Sequence, residues 1–243
     1  MKITYAFYSD KGDRSVNEDS LGAATNSDGD CFVLCDGLDG HGMGDVASNL
    51  VVNAFKKMFV ECTDCSKFLE TAFQVSQKLL MKKQAEMNAK RKMKTTAVSV
   101  VADNKKAYIG HIGDSRVYVF NKNKVKKRTS DHSIPQMLVF SKEIKENEIR
   151  NHPDRNILLR VMGIEWEEPM YELMKPITLK DNMAFLLCSD GFWELIEEDD
   201  MCKFLKKSDT VESWLASMVK VVKKSGVDRN MDNYSAIAIW VNK

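Results

Sequence analysis

The chain has 243 residues, 44% of them hydrophobic and 29% charged, with a formal net charge of +1. That length and balance predict a soluble globular protein with a sizeable core, and the near-neutral charge gives no general reason to bind nucleic acid or an anionic membrane. No apolar run approaches the about eighteen residues of a membrane span, and MKITYAFYSDKGDR at the N-terminus runs into charge too soon for a signal peptide, so a cytoplasmic location is expected.

A first strand is predicted at ITYAFYSD (3–10), and DCFVLCD (30–36) reads as a buried strand ending at Asp36. The next stretch, CDGLDGHGMGDVAS (35–48), holds four of the chain's twelve glycines within eight residues. Beyond it Val46, Ala47, Leu50, Val51, Ala54, Phe55 and Met58 recur at helical spacing, predicting a helix over 43–60. The glycines therefore occupy a strand-to-helix turn, where positive φ or close backbone approach is possible. No Lys-Ser or Lys-Thr follows them, which excludes a nucleotide-binding P-loop. Gly42, Gly44 and Ala47 fit the degenerate dinucleotide pattern, but this helix leads through CTDC into another helix instead of a second parallel strand. A hard metal ion held by Asp36 and a glycine carbonyl, or a turn with no ligand, both remain open.

A second helix is predicted over 66–92, with Phe68, Leu69, Ala72, Phe73, Leu79 and Leu80 on its apolar face. Its end, KKQAEMNAKRKMK (82–94), carries six basic residues against one acid, which suits a solvated helix end or an acidic or phosphorylated partner. Cys62 and Cys65 form a lone CxxC without the second pair of a zinc site, so a capping or surface role is expected. Cys31, Cys35 and Cys188 lie in apolar runs as small buried hydrophobes. His41, His111, His132 and His152 are scattered without HExxH spacing, and zinc is not expected. TTAVSVVAD (95–103), KAYIGHIGD (106–114) and RVYVF (116–120) are joined by short turns and predict an antiparallel meander. The chain then reads as polar and helical until AFLLCSD (184–190), followed by a helix over 211–224 and a last strand at YSAIAIWV (234–241). Strands from both ends and the centre must share sheets, so one α+β domain over 1–243 is the economical reading.

Asp36, Asp114, Asp190 and Asp232 each border apolar β-structure. Singly, such a residue is an Asx-turn or cap. Brought together, and joined by Glu18 and Asp19 after the first strand, they would form a carboxylate cluster that needs cations to neutralise it.

Eight segments in order, RSVNEDS (14–20), CDGLDGHGMGDVAS (35–48), KTTAV (94–98), GDSRVY (113–118), TSDHS (129–133), HPDRNILLRVMG (152–163), LLCSDGFWEL (186–195) and DRNMDNYS (228–235), make the chain resemble the metal-dependent serine/threonine phosphatases of the protein phosphatase 2C (PPM) family, in its bacterial branch. The resemblance implies a four-layer α/β/β/α sandwich of two mainly antiparallel sheets flanked by helix pairs. It implies hydrolysis of phosphoserine and phosphothreonine in proteins by a water that two Mn²⁺ or Mg²⁺ ions activate for in-line attack. The ligand set it implies is Asp36 bridging the ions, the Gly37 carbonyl, Asp190 and Asp232, with Glu18 and Asp19 holding metal-bound waters. Arg14 takes the phosphate-binding position, and Asp114 with Asp190 holds a third, weaker ion. Where eukaryotic members have a candidate general acid after Asp-Gly, this chain has Leu38, so a water on the third ion is expected to donate the proton. Asp39 and Lys94 replace glycines of the family pattern, and His41 is expected to be structural. Residues 133–151 match the mobile flap beside the site, where Met137, Leu138 and Phe140 either dock substrate or pack the flap down. The expected partners are phosphorylated proteins made by a serine/threonine kinase, with the enzyme a monomer. The alternative is a catalytically weak phosphoprotein-binding regulator of the same fold.

Overall fold

The computed structural model describes residues 1–38, 42–89 and 92–242, so Asp39, His41, Lys90 and Arg91 lie outside the described residues. The strands sort into two sheets. One runs in the order β1 (Lys2–Asp10), β11 (Tyr234–Asn242), β10 (Met183–Cys188), β6 (Arg116–Asn121), β7 (Lys124–Arg128). The other runs β2 (Asp19–Thr25), β3 (Asp30–Asp36), β4 (Ala97–Ala102), β5 (Lys106–Ile112), β8 (Glu172–Leu173), with β9 (Ile177–Thr178) also pairing with β5. Every pairing is antiparallel.

The pleat assigns each residue to a layer. In β3, Phe32 and Leu34 face the other sheet and pack among Val98, Val100, Val119, Phe185, Ile237 and Ile239. Cys31, Val33 and Cys35 face the opposite way, under α1 (Gly44–Val60) and α2 (Cys65–Glu86), where Phe55, Phe59, Phe68 and Phe73 meet edge to face. The far side of the first sheet is covered by α4 (Asp190–Trp193), α5 (Glu198–Lys207) and α6 (Val211–Gly226), with Trp214, Met218 and Val222 set against Tyr118, Phe120, Ala236 and Ala238. Both sheets are thus covered on both faces, which is why their central strands are apolar without alternation. The result is the α/β/β/α sandwich that the resemblance implies.

Three readings of the sequence need correction. The meander breaks after its second strand: β4 and β5 form a hairpin, but β6 pairs with β10 and β7 in the other sheet. Hydrophobic periodicity identifies a strand without naming its partner. Here the chain crosses between sheets at 113–115, turning at Gly113 with φ +101°, and so places Asp114 in the seam. The second helix ends at Glu86 instead of 92, because Asn88 is left-handed (φ +49°) and the Ala89 amide turns back to the Gln84 carbonyl. The segment read as polar and helical also carries strands β7, β8 and β9 besides α3 (Ile134–Phe140) and a 3-10 turn, Glu146–Asn151.

The flap residues 133–151 are built as helix, turn and 3-10 turn. Met137 and Phe140 are exposed and Leu138 is half-buried, while Ile149 is buried in the core. No helix among the described residues is long and apolar enough to cross a membrane.

Candidate active site

The close approach foreseen for the glycine-rich turn occurs at Gly37. Its amide donates to the Glu18 carbonyl at 3.1 Å, and a Cβ built on it would lie 2.3 Å from the Gly44 carbonyl oxygen, so only glycine lets the start of α1 press against the end of β3. The Gly44 amide in turn donates to Glu18 Oε1 at 3.1 Å. On the other side, Thr95 Oγ1 donates to the Asp36 carbonyl at 2.8 Å and the Asp36 amide donates to Thr96 Oγ1 at 3.1 Å. The backbone that carries Asp36 is held from two directions.

Four strand ends bring the acids together. Asp19 starts β2 directly opposite Asp36 at the end of β3. Asp190 opens α4 after β10, and Asp232 lies two residues before β11, which neighbours β10. Asp114 enters from the sheet-to-sheet crossover. Asp36, Gly37, Asp114, Asp190 and Asp232 line one cleft of about 510 Å³, together with Arg14, Leu38, Lys94, Asn156, Leu158 and Val161. The sequence reasoning had not singled out Asn156, Leu158 or Val161. They lie within HPDRNILLRVMG, where an apolar wall has no chemical signature of its own.

The electrostatics of this cleft test whether metal ions fit it. Burial, then the neighbouring charges of Asp19, Asp190, Asp114 and Asp232, pushes the Asp36 carboxyl well above its usual range. Burial and the charges of Asp190 and Asp232 lift Asp19 to about 7, although Ser189 Oγ donates to its Oδ2 at 2.9 Å. Its Oδ1 is buried with no hydrogen-bond partner among the described residues. Burial is also the first cause of the upward shifts of Asp114 and Asp190. An oxygen-only donor set in which carboxyls repel one another and one buried oxygen is left unmatched suits hard divalent cations such as Mn²⁺ or Mg²⁺.

Arginines stand on the rim of the cleft and behind it. Arg14 binds Asp232 in a two-pronged contact at 3.0 and 2.8 Å. Behind the cleft, Trp193 Nε1 donates to the Asp114 carbonyl at 3.0 Å, the Arg116 guanidinium lies 3.3 Å over the Trp193 ring, and Arg150 of the flap's 3-10 turn donates to the Trp193 carbonyl. The flap is thus tied to the segment that carries Asp190.

Among the described residues, three potential ligand atoms come within 4.8 Å of one another only at His111, His132 and Glu172. Their hydrogen bonds speak against a metal there. His132 Nδ1 accepts from the Gly113 amide at 3.1 Å, so its Nε2 carries the proton and faces Glu172 Oε2 at 3.6 Å. The two imidazoles stack with centroids 4.7 Å apart, and burial, then the neighbouring His111, lowers His132 to about 3. Among the described residues no three of the aspartate carboxylates come so close, as expected of carboxyls that repel one another.

The sequence and the fold are shared with known proteins. The sequence profile of the family described as Protein phosphatase 2C matches residues 8–234. The serine/threonine phosphatase stp of Listeria monocytogenes serotype 4b (strain F2365) is 32% identical over 214 residues, 84% of each chain. The crystal structure of the serine/threonine phosphatase Stp1 from Staphylococcus aureus superposes with a TM-score of 0.90 at 28% identity, covering 100% of this chain and 96% of that one. The S. agalactiae serine/threonine phosphatase, at 22% identity, shares the fold with a TM-score of 0.87 over 99% of this chain and 100% of that one. With its cluster of aspartates at the joined ends of two sheets, the chain belongs to the protein phosphatase 2C family.

Proposed function

We propose that the chain, acting as one catalytic domain over 1–243, hydrolyses phosphoserine and phosphothreonine in proteins with divalent metal. The observation that carries this reading is the mutually destabilised carboxylate cluster around Asp36, open to a cleft with Arg14 on its rim. Asp36, the Gly37 carbonyl, Asp190 and Asp232 would hold two Mn²⁺ or Mg²⁺ ions, Glu18 and Asp19 would support them from behind, and Asp114 with Asp190 would hold a weaker third. Bound there, such ions supply an acidified water and neutralise charge on the phosphoryl oxygens.

The chain's own groups do the rest. The Arg14 fork, which spans both oxygens of a carboxylate, matches two phosphoryl oxygens equally well and orients the group for in-line attack. The Thr95 and Thr96 hydrogen bonds fix the backbone on which Asp36 stands. Leu38, beside the cleft, excludes water but holds no proton for the leaving alkoxide, so that proton enters elsewhere. A phosphoprotein-binding regulator without catalysis would not need the complete acid set, and every member is present. Hydrolysis of a phosphothreonine peptide with Mn²⁺, absent in EDTA and restored by Mn²⁺, is the expected result. Full turnover in chelator would end the metal-dependent reading.

A further inference from the structure

The cleft over the aspartates is continuous with a second cavity of about 450 Å³. Both are lined by Arg14, Asn156, Asp190 and Asp232, and the second continues to Arg150, Arg155, Glu194, Arg229 and Asn230. Each cavity alone has the volume of a small-molecule site, so together they exceed what a phosphorylated side chain fills. The surplus is room for residues on either side of it.

Most cations of this surface are already engaged. Arg14 binds Asp232, Arg150 binds Glu198 at 2.9 Å, and Arg155 binds Glu194 at 3.0 Å. Lys94 in the first cavity and Arg229 in the second make no side-chain hydrogen bond or ion pair with any described residue. Lys94 is nonetheless firmly rooted. Its carbonyl accepts from the Leu38 amide at 3.0 Å, and Thr95 beside it exchanges backbone hydrogen bonds with Met162 at 3.3 and 2.9 Å. Its half-buried side chain stands on the wall formed by Leu38, Leu158 and Val161, yet comes within ion-pair distance of none of the four aspartates that line the same cleft. An ammonium beside so much negative charge that pairs with none of it is available to a carboxylate brought by a ligand. Arg229 offers the same on the other side of Asp190 and Asp232.

We propose that Lys94 and Arg229 read acidic side chains flanking the phosphorylated residue, which makes acidic phosphosites the preferred substrate class. The inference rests on the phosphatase reading above. One phosphoryl group occupies the metal-binding aspartates and Arg14, so the unpaired cations, Lys94 on the wall of that cleft and Arg229 in the adjoining cavity, are left for its neighbours. Such contacts, at half-buried Lys94 and exposed Arg229, select through charge complementarity and weaken with salt.

The test uses the full chain with Mn²⁺ and four phosphothreonine peptides, with alanines on both sides, aspartates on the N-terminal side, on the C-terminal side, or on both. The readout is the ratio of kcat/KM on acidic to neutral peptide, in which any general loss of a variant cancels. Wild type is expected to favour the doubly acidic peptide roughly three- to tenfold at low salt. Lys94→Ala and Arg229→Ala should each remove the preference for one flank, the double variant should bring the ratio to one, and Lys94→Glu should favour a lysine flank over an aspartate. A wild-type ratio of one or below, or a ratio that survives the double variant, overturns the inference. Equal losses on all peptides also overturn it, since they would place Lys94 on the phosphoryl group or in a structural role. If wild type cleaves every peptide alike, only this inference falls; if it cleaves none, the phosphatase reading falls with it.

Discussion

The Arg14 guanidinium holds the Asp232 carboxylate by both oxygens, Nε to Oδ1 at 3.0 Å and Nη2 to Oδ2 at 2.8 Å. Two residues 218 positions apart in the chain meet because β1 and β11 are neighbours, and the loops that carry the pair leave the same sheet edge. The anion that Arg14 holds is one of the proposed metal ligands. If both proposed roles hold, cation binding at Asp232 and phosphate binding at Arg14 are linked, since neutralising the carboxylate would loosen its hold on the fork that phosphate needs.

Replacing Arg14 with alanine should lower kcat/KM on an aryl phosphate roughly ten- to a hundredfold, mainly through KM, the size expected for loss of charge-assisted hydrogen bonds. Arg14→Lys should recover little, because a point charge cannot grip two oxygens in one plane. Steady-state kinetics at saturating Mn²⁺ measure this, and an unchanged KM in both variants would remove Arg14 from phosphate binding.

Asp36→Asn and Asp190→Asn should each abolish turnover while the fold persists. Removing one charge from a crowded set relieves the others, so in EDTA at pH 8 each variant should melt several degrees above wild type, on the order of 1 kcal/mol or more. Circular dichroism melts alongside activity separate the two effects. A variant that fails to fold would mean that the carboxylate is needed structurally.

That stabilisation should depend on pH in a definite direction. Burial, then neighbouring charge, raises these carboxyls in the folded chain, Asp19 to about 7 and Asp36 well above its usual range, whereas the unfolded chain releases the same protons at about 3.9. The folded state thus binds more protons, and the cluster's contribution to stability is intact below the unfolded value and is lost as pH rises through the folded one. In chelator, the difference in melting temperature between Asp36→Asn and wild type should be small near pH 4 and widen steadily to pH 8. Added Mn²⁺ should reverse its sign at pH 8, because the ions stabilise the folded wild type that binds them. A difference independent of pH would show that the acids do not interact.

The acids at the strand ends were legible because an Asp that closes an apolar strand is a local pattern, and four of them at the same kind of junction suggest one edge. What brings them together was not legible. β2 is a run of small residues, DSLGAAT, whose half-buried face owes its place to α1 and β3, so nothing in its own sequence marks a strand. The partner of β6 was misread because a two-residue periodicity fixes which face is buried and says nothing about which sheet. Arg116 and Trp193, which stack behind Asp114, are 77 positions apart, a contact that only the closed sandwich creates.

Asp114 sits where the chain crosses from β5 to β6, its carbonyl held by Trp193 and its carboxyl raised by burial, then by Asp190. The alkoxide expelled from phosphothreonine is a poor leaving group and needs a proton as it departs, while p-nitrophenolate needs almost none. Leu38 has no proton to give, and the other aspartates of the cleft are engaged in the cluster around Asp36. The proton is therefore expected from the Asp114 end of the cleft. Asp114→Ala should lower kcat on a phosphothreonine peptide roughly ten- to a hundredfold more than on p-nitrophenyl phosphate, within the range general acid catalysis contributes. Both substrates are to be measured for wild type and variant across a Mn²⁺ titration, so that weakened metal binding is seen as a shifted midpoint and not mistaken for lost proton transfer. Equal losses on the two substrates would leave Asp114 with a positioning role only, and the leaving group's proton would then have to come from solvent admitted past Asn156 into the same cleft.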